Sequence, residues 1–251
     1  MTTAQNSLDG KWVLITGGAK RIGATVTRRL HEAGANIALH YRSAKDDAEQ
    51  LQQALNQQRP DSVALFSGDL LHPETTGTLV ADVVAHCGRL DVLINNASTF
   101  YPTPVGTITE EHWEDLLGTN LKAPLFLSQA AAPALRESNG VIINMVDIHA
   151  RRPLKDHPVY GPAKAGLAML TLSLAKDLAP EIRVNGVSPG AILWPSDGMT
   201  ETAKDSIVSQ IPLARAGGPD DIAGAILYLT RDATYVTGQI IAVDGGRSVG
   251  W

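Results

Sequence analysis

Apolar positions along this chain fall into short continuous runs, and longer stretches with helical spacing separate them. The runs are Lys11 to Thr16, Asn36 to Tyr41, Ser62 to Phe66, Leu90 to Ile94, Val141 to Val146, Ile182 to Val187 and Gln239 to Val243. Runs of this length, rich in β-branched residues and bounded by turn formers, read as strands buried on both faces, as in a parallel sheet. Helical patterns fill the gaps: Ala24 to Ala33, Ala44 to Gln58, a stretch with Leu79, Val80, Val83 and Val84 as its buried stripe, Glu110 to Leu135, Pro158 to Leu178 and Asp220 to Leu229. Strict alternation of strand and helix, with no linker, repeat or low-complexity stretch, predicts one α/β domain over residues 1–251, a doubly wound seven-stranded parallel sheet with helices on both faces. The segment from Leu193 to Gly218 is polar, with one short helical pattern around Ala203 to Gln210, and follows the carboxyl end of a strand. It reads as a lid over a substrate.

Composition narrows the partners. Apolar residues make up 44% and charged residues 19%, enough for an ordinary core, and a net charge of -5 argues against a nucleic-acid surface or an anionic membrane as main partner. Cys87 stands alone, so neither a disulfide framework nor a thiolate metal site fits within one chain, and a reducing compartment follows. Met1 to Gly10 is polar and lacks a signal core, and no run of about 18 apolar residues appears, so the expectation is a soluble cytoplasmic protein. His149 and His157 have no partners at metal-ligand spacing and read as loop residues, so no metal is expected.

Candidate chemistry gathers at the carboxyl ends of the runs. Thr16 to Gly23 forms a glycine turn between the first strand and the first helix, the setting in which backbone N–H groups and a helix N-terminus receive a dinucleotide pyrophosphate. The second run ends in His40-Tyr41-Arg42-Ser43 with no acidic residue to read a ribose 2′-hydroxyl. A cation beside a hydroxyl suits a 2′-phosphate, which favours NADPH over NADH; the alternative is that Arg42 is a solvated loop charge. Asp46 and Asp47 follow on the next helix and suit its N-terminal dipole. Asp69 could bind an adenine amino group or cap the turn after it. Asn120 lies inside a helical stretch, where its amide needs partners. Asp147 closes the fifth run, and Tyr160 and Lys164, four residues apart, share one helix face. An ammonium one turn from a phenol is expected to favour the phenolate and lower its pKa.

Five of these signals occur in one order: the Thr16 to Gly23 turn, Asn95-Asn96-Ala97, Asn120, Tyr160 with Lys164, and Pro189-Gly190. Over nearly its whole length the chain resembles the short-chain dehydrogenase/reductase family, which implies a Rossmann fold and an NAD(P)-dependent oxidoreductase. By that resemblance Tyr160 donates a proton, Lys164 binds the nicotinamide ribose and lowers the Tyr160 pKa, and Asn120 holds a water in the proton relay. Two departures are informative: Arg21 replaces a glycine usual in the turn, and Asp147 stands where a serine usually positions a substrate carbonyl. With His40 to Ser43, Lys20 to Gly23, Met145-Val146-Asp147 and the stretch Asn95 to Pro104, they resemble the pteridine reductase branch. That likeness implies NADPH contacts from Gly17, Arg21, Ile22, Gly23, His40, Tyr41, Arg42 and Ser43. Asp69, Leu70, Asn96, Ala97, Lys164, Pro189, Gly190 and Ile192 would complete the cofactor site. It implies pterin contacts from Arg21, Ser98 and Phe100, with Phe100 stacked on the pterin face, although Phe100 could equally be a core residue. Asp147 and Tyr160 would relay protons to a ring nitrogen. Related enzymes are tetramers, so a homotetramer is expected, with Arg247 and Trp251 in a C-terminal tail that could reach a neighbour. The alternative is a carbonyl reductase of the same family, acting on a 3-oxoacyl thioester, a sugar or a steroid ketone, with Ser98 recruited in place of the serine. A silent nucleotide-binding sensor is disfavoured by the joint presence of Asn120, Tyr160 and Lys164.

Overall fold

The computed structural model describes residues 7–194 and 199–249. Seven strands form one all-parallel sheet in the order β3-β2-β1-β4-β5-β6-β7. They are β1 (Trp12–Ile15), β2 (Asn36–Tyr41), β3 (Val63–Ser67), β4 (Val92–Asn95), β5 (Val141–Met145), β6 (Arg183–Pro189) and β7 (Ile240–Val243). The helices are α1 (Arg21–Glu32), α2 (Lys45–Gln58), α3 (Pro73–Cys87), α4 (Glu110–Leu117), α5 (Ala123–Ser138), α6 (Tyr160–Asp177), α7 (Glu201–Val208) and α8 (Pro219–Leu227). Strand order reverses between β1 and β4, which opens a crevice at the carboxyl edge of the sheet where a ligand can bind.

Alternation along each strand divides the core into two layers. Val13 and Ile15 pack with Val26, Leu30, Ile37, Ile222 and Ile226 under α1 and α8, while Leu14 packs with Leu79, Val83, Leu93, Leu127 and Ile142 under α3 and α5. These side chains are fully or nearly fully buried, and each stabilises the fold by about 1.5–3 kcal/mol relative to exposure.

Two helices differ from the sequence expectation. The helix expected from Glu110 to Leu135 is α4 and α5 joined by a π turn at Gly118–Lys122, and Asn120 sits in that wider turn. The helix expected from Pro158 begins at Tyr160, so Tyr160 lies in its first turn with Lys164 still one turn on. Within the expected lid, α7 is present and residues 195–198 lie outside the described residues, as does Trp251.

Candidate active site

The glycine turn is built by side chains at its back. Gly17 has φ 61° and lies so close to Ala97 that an added Cβ would stand 3.1 Å from its Cα, so both conformation and space call for glycine. Thr16 Oγ1 accepts from the N–H groups of Asn96 and Ala97, each at 3.0 Å. The Asn96 amide donates to the carbonyls of Thr16 and Gly17 at 2.9 and 3.0 Å. Asn96 therefore fastens the turn. His40, buried in β2, does the same from the other side: Nδ1 accepts from Gly17 N–H at 3.4 Å, and Nε2 donates to the Gly68 carbonyl at 3.1 Å. Because a carbonyl only accepts, these bonds fix a neutral ring with its hydrogen on Nε2. Burial pushes its pKa down to about 4, against the opposing pull of Gly68 and Asp69.

Arg21 opens α1 with φ 51°, a left-handed conformation that glycine adopts at less cost, and its side chain is exposed. Lys20 beside it pairs with Asp47 at 2.9 Å, so Asp47 serves both the α2 dipole and the turn. Ile22 is half-buried and Gly23 buried, and a Cβ on Gly23 would meet the Gly17 carbonyl. At the end of β2, Tyr41 is half-buried while Arg42 and Ser43 are exposed, with no carboxylate among them. Asp69 Oδ1 accepts from Leu71 N–H at 3.0 Å, so Asp69 caps its turn, with Leu70 buried beside it. Pro189 ends β6, and a Cβ on Gly190 would fall 2.6 Å from Asp244 Cβ, so glycine there permits the close approach of the chain after β7. Ile192 is buried in the same layer of core as α1. This cradle, with tight glycine packing in front of the α1 N-terminus, fits a dinucleotide.

Beyond the crevice, the Tyr160 phenol donates to Asp147 Oδ2 at 2.8 Å, and Asp147 Oδ1 accepts from His149 N–H at 2.8 Å. The buried Lys164 ammonium donates to the Met145 carbonyl at 2.9 Å and lies 5.7 Å from the Tyr160 ring centre. The expectation that Lys164 lowers the phenol pKa is corrected here. Burial and then the Asp147 carboxylate raise it well above its ordinary value, and only the Ser98 hydroxyl pulls the other way. The ammonium spends its bond on a backbone carbonyl, so the nearest charge to the phenol is negative. Burial lowers the Lys164 pKa to about 8, with Asp147 opposing.

Asn120, fully buried, donates from Nδ2 to the carbonyls of Thr99 and Leu116, each at 2.9 Å, and its Oδ1 accepts from Ser98 Oγ at 2.6 Å. The amide partners expected for a buried asparagine are thus protein groups, and Asn120 aligns Ser98 toward the phenol. Phe100 stacks on His157 at 4.7 Å between ring centres and meets Tyr160 edge-on at 4.8 Å. It remains 52% exposed, so it is not a core residue and leaves aromatic surface for a flat ring. The chain Asn95 to Asn144 to Thr171 beneath the site, with bonds of 2.8 and 2.9 Å, was not foreseen. A polar residue inside an otherwise apolar β5 run was its only signal. Among the described residues no group of three or more acidic, histidine or cysteine side chains is placed to hold a metal, and no helix is long and apolar enough to cross a membrane.

Comparison with known proteins agrees with the fold. Residues 17–248 match the family model described as enoyl-(acyl carrier protein) reductase. Pteridine reductase 1 of Leishmania tarentolae is 35% identical, over 94% of this chain and 96% of its own length. A 3-oxoacyl-(acyl-carrier-protein) reductase of Staphylococcus aureus is also 35% identical, over 94% of this chain and 97% of its own. An uncharacterized oxidoreductase of Methylorubrum extorquens is 35% identical over 96% and 99%. The chain belongs to the short-chain dehydrogenase/reductase family of oxidoreductases, whose members use nicotinamide cofactors.

Proposed function

We propose that this protein is an NADPH-dependent reductase of dihydropterins, forming tetrahydropterins from dihydromonapterin, dihydrobiopterin or dihydrofolate. The observation that carries the reading is the Asp147 carboxylate, 2.8 Å from the Tyr160 hydroxyl. In a carbonyl reduction the substrate oxygen gains negative charge, and a carboxylate beside it would oppose that charge. Reduction of a ring C=N bond instead leaves a proton on nitrogen, which a phenol and a carboxyl can hold and deliver together. NADPH, when bound in the glycine cradle, would be the source of the hydride. Tyr160 supplies the proton to the ring nitrogen, and Asp147 holds the hydrogen bond through which the phenol is reprotonated from solvent. Phe100 would carry one face of the pterin, Ser98 and Arg21 its polar edge, and Arg42 with Ser43 the 2′-phosphate. The stretch that carries α7 (Glu201–Val208) would act as the lid. Exposed Leu125 on α5 and Met169 and Leu172 on α6 support the homotetramer that belongs to this reading.

The second reading, a 3-oxoacyl thioester reductase, is supported by the equal identity to the staphylococcal enzyme and by the Ser98 hydroxyl held beside Tyr160. NADPH oxidation measured in parallel with the three dihydropterins and an acetoacetyl thioester separates the two. Turnover of a dihydropterin without the thioester is the expected result; turnover of the thioester alone overturns the proposal.

A further inference from the structure

The loop between Asp147 and Tyr160 carries Arg151, Arg152 and Lys155, three exposed cations within five residues of a protein whose net charge is -5. None of the three side chains has a hydrogen bond or a carboxylate partner among the described residues, and the only exposed anion in the loop is Asp156. Elsewhere acidic neighbours are taken up, as in Lys20–Asp47, Arg89–Asp91 and Arg215–Asp221.

This loop is folded onto the reacting groups rather than hanging free. His149 gives its backbone N–H to Asp147 Oδ1 at 2.8 Å, while its ring Nδ1 donates to the Arg152 carbonyl at 2.9 Å. His157 stacks on Phe100, and its ring Nδ1 donates to the Lys155 carbonyl at 2.7 Å. Thr103 N–H, from the Phe100 loop, donates to the Asp156 carbonyl at 2.6 Å. His149, through its backbone N–H to Asp147 and its ring to the Arg152 carbonyl, and His157, through its ring on Phe100 and the Lys155 carbonyl, therefore tie the cation-bearing stretches to the site. Arg152 is five residues from Asp147, which limits their Cα separation to roughly 17 Å even for extended chain, and the short helical turn Ile148–Ala150 shortens it further.

We infer that Arg151, Arg152 and Lys155 form a binding site for an anionic tail, carboxylate or phosphate, on the substrate whose ring is reduced at Tyr160. The inference deepens the proposed function by adding a class of substrate: a ring compound with a negatively charged extension. Guanidinium groups suit both anions because their paired N–H donors match two oxygens, and lysine adds a point charge. Exposed, screened contacts of this kind are individually weak, so the effect resides in the three together.

The test uses two substrate pairs that differ in tail charge. Dihydrofolate carries carboxylates where dihydrobiopterin is neutral, and acetoacetyl-CoA carries phosphates where the acetoacetyl N-acetylcysteamine thioester is neutral. In the Arg151→Gln/Arg152→Gln/Lys155→Gln variant, KM for the charged member of the reacting pair is expected to rise about ten-fold or more. KM for its neutral partner should move by less than about two-fold, and NADPH affinity, read by fluorescence, should confirm a folded cofactor site. Raising salt should erase the wild-type advantage of the charged member. Equal changes in both members, or none in either, overturn the site. Which pair reacts judges the pterin reading separately, so turnover confined to the thioesters would sink that reading while the charged-to-neutral ratio still judges the loop. No turnover of any of the four overturns both.

Discussion

Tyr160 gives its hydroxyl hydrogen to Asp147 Oδ2 across 2.8 Å, so the phenol is bonded to a carboxylate. This places the phenol in its protonated form, with burial and the Asp147 charge both opposing ionisation. A donor held this way delivers its proton only as a basic atom develops beside it, which suits protonation of a ring nitrogen.

Removing either member should abolish most turnover with the expected substrate. Tyr160→Phe keeps the ring packed against Phe100 and deletes only the hydroxyl, so kcat should fall by about 10²–10⁴-fold while NADPH affinity holds. Asp147→Ala should show a similar loss. Asp147→Ser is the sharper variant: it should lose dihydropterin reduction and, if anything, gain carbonyl reduction, measured by NADPH oxidation with both substrates. Full dihydropterin activity in Asp147→Ser would remove the carboxylate from the mechanism.

Lys164 gives a prediction with opposite signs for rate and stability. Its buried ammonium has a pKa of about 8, below the model-peptide 10.5. Above pH 8 the folded protein therefore loses a proton that the unfolded chain keeps until pH 10.5. Sign follows from linkage: between those values the unfolded state binds more protons, so this group makes stability rise with pH, by roughly 3 kcal/mol in full. A reaction that needs the cation should instead slow above about pH 8. The pH profile of kcat should show that falling limb, and Lys164→Arg should move it to higher pH if the variant folds. A flat profile to pH 9 would exclude a required charge at Lys164.

The sequence revealed the sheet because each strand is a continuous apolar run, a pattern set by burial on two faces. Strand ends shifted by a residue or two, as with Val92–Asn95 against the expected Leu90 to Ile94, since apolar periodicity does not mark the last ladder bond. The residues Asp147, Tyr160 and Lys164 were legible from spacing on one strand end and one helix face. Their mutual electrostatics were not. Spacing places an ammonium near a phenol, but in the folded chain the ammonium turns to the Met145 carbonyl and the carboxylate turns to the phenol. Asn120 was legible as a buried amide needing partners, whereas the π turn that aims it leaves no mark in hydrophobic spacing.

Arg42 should set cofactor preference. It is exposed beside Ser43 at the end of β2, where no carboxylate competes for a phosphate. Arg42→Ala should raise KM for NADPH by about ten-fold, the order expected when a charge-assisted phosphate contact is lost, and leave KM for NADH nearly unchanged. Equal effects on both cofactors would place Arg42 outside the 2′-phosphate site.

His40 was expected to touch the cofactor, and the structure instead buries it between two backbone groups that shape the cofactor crevice. Its Nδ1 accepts from Gly17 N–H and its Nε2 donates to the Gly68 carbonyl. Protonation would put hydrogen on Nδ1, facing another donor, so the bond to the glycine turn would be lost. With the folded pKa near 4 and the unfolded value at 6.5, the contribution is fully present above pH 6.5 and is lost as pH falls toward 4. The full effect is roughly 3 kcal/mol. His40→Asn keeps an acceptor near the Nδ1 position and cannot titrate, so its denaturation midpoint should vary less between pH 6.5 and 4 than that of the wild type. His40→Leu should raise the Kd for NADPH, because Gly17 N–H is left without its side-chain acceptor, and His40→Asn should recover part of that affinity. If wild type and His40→Asn share one pH slope and His40→Leu binds NADPH normally, then His40 is only a filler of the sheet, and the two hydrogen bonds contribute nothing to the cofactor turn.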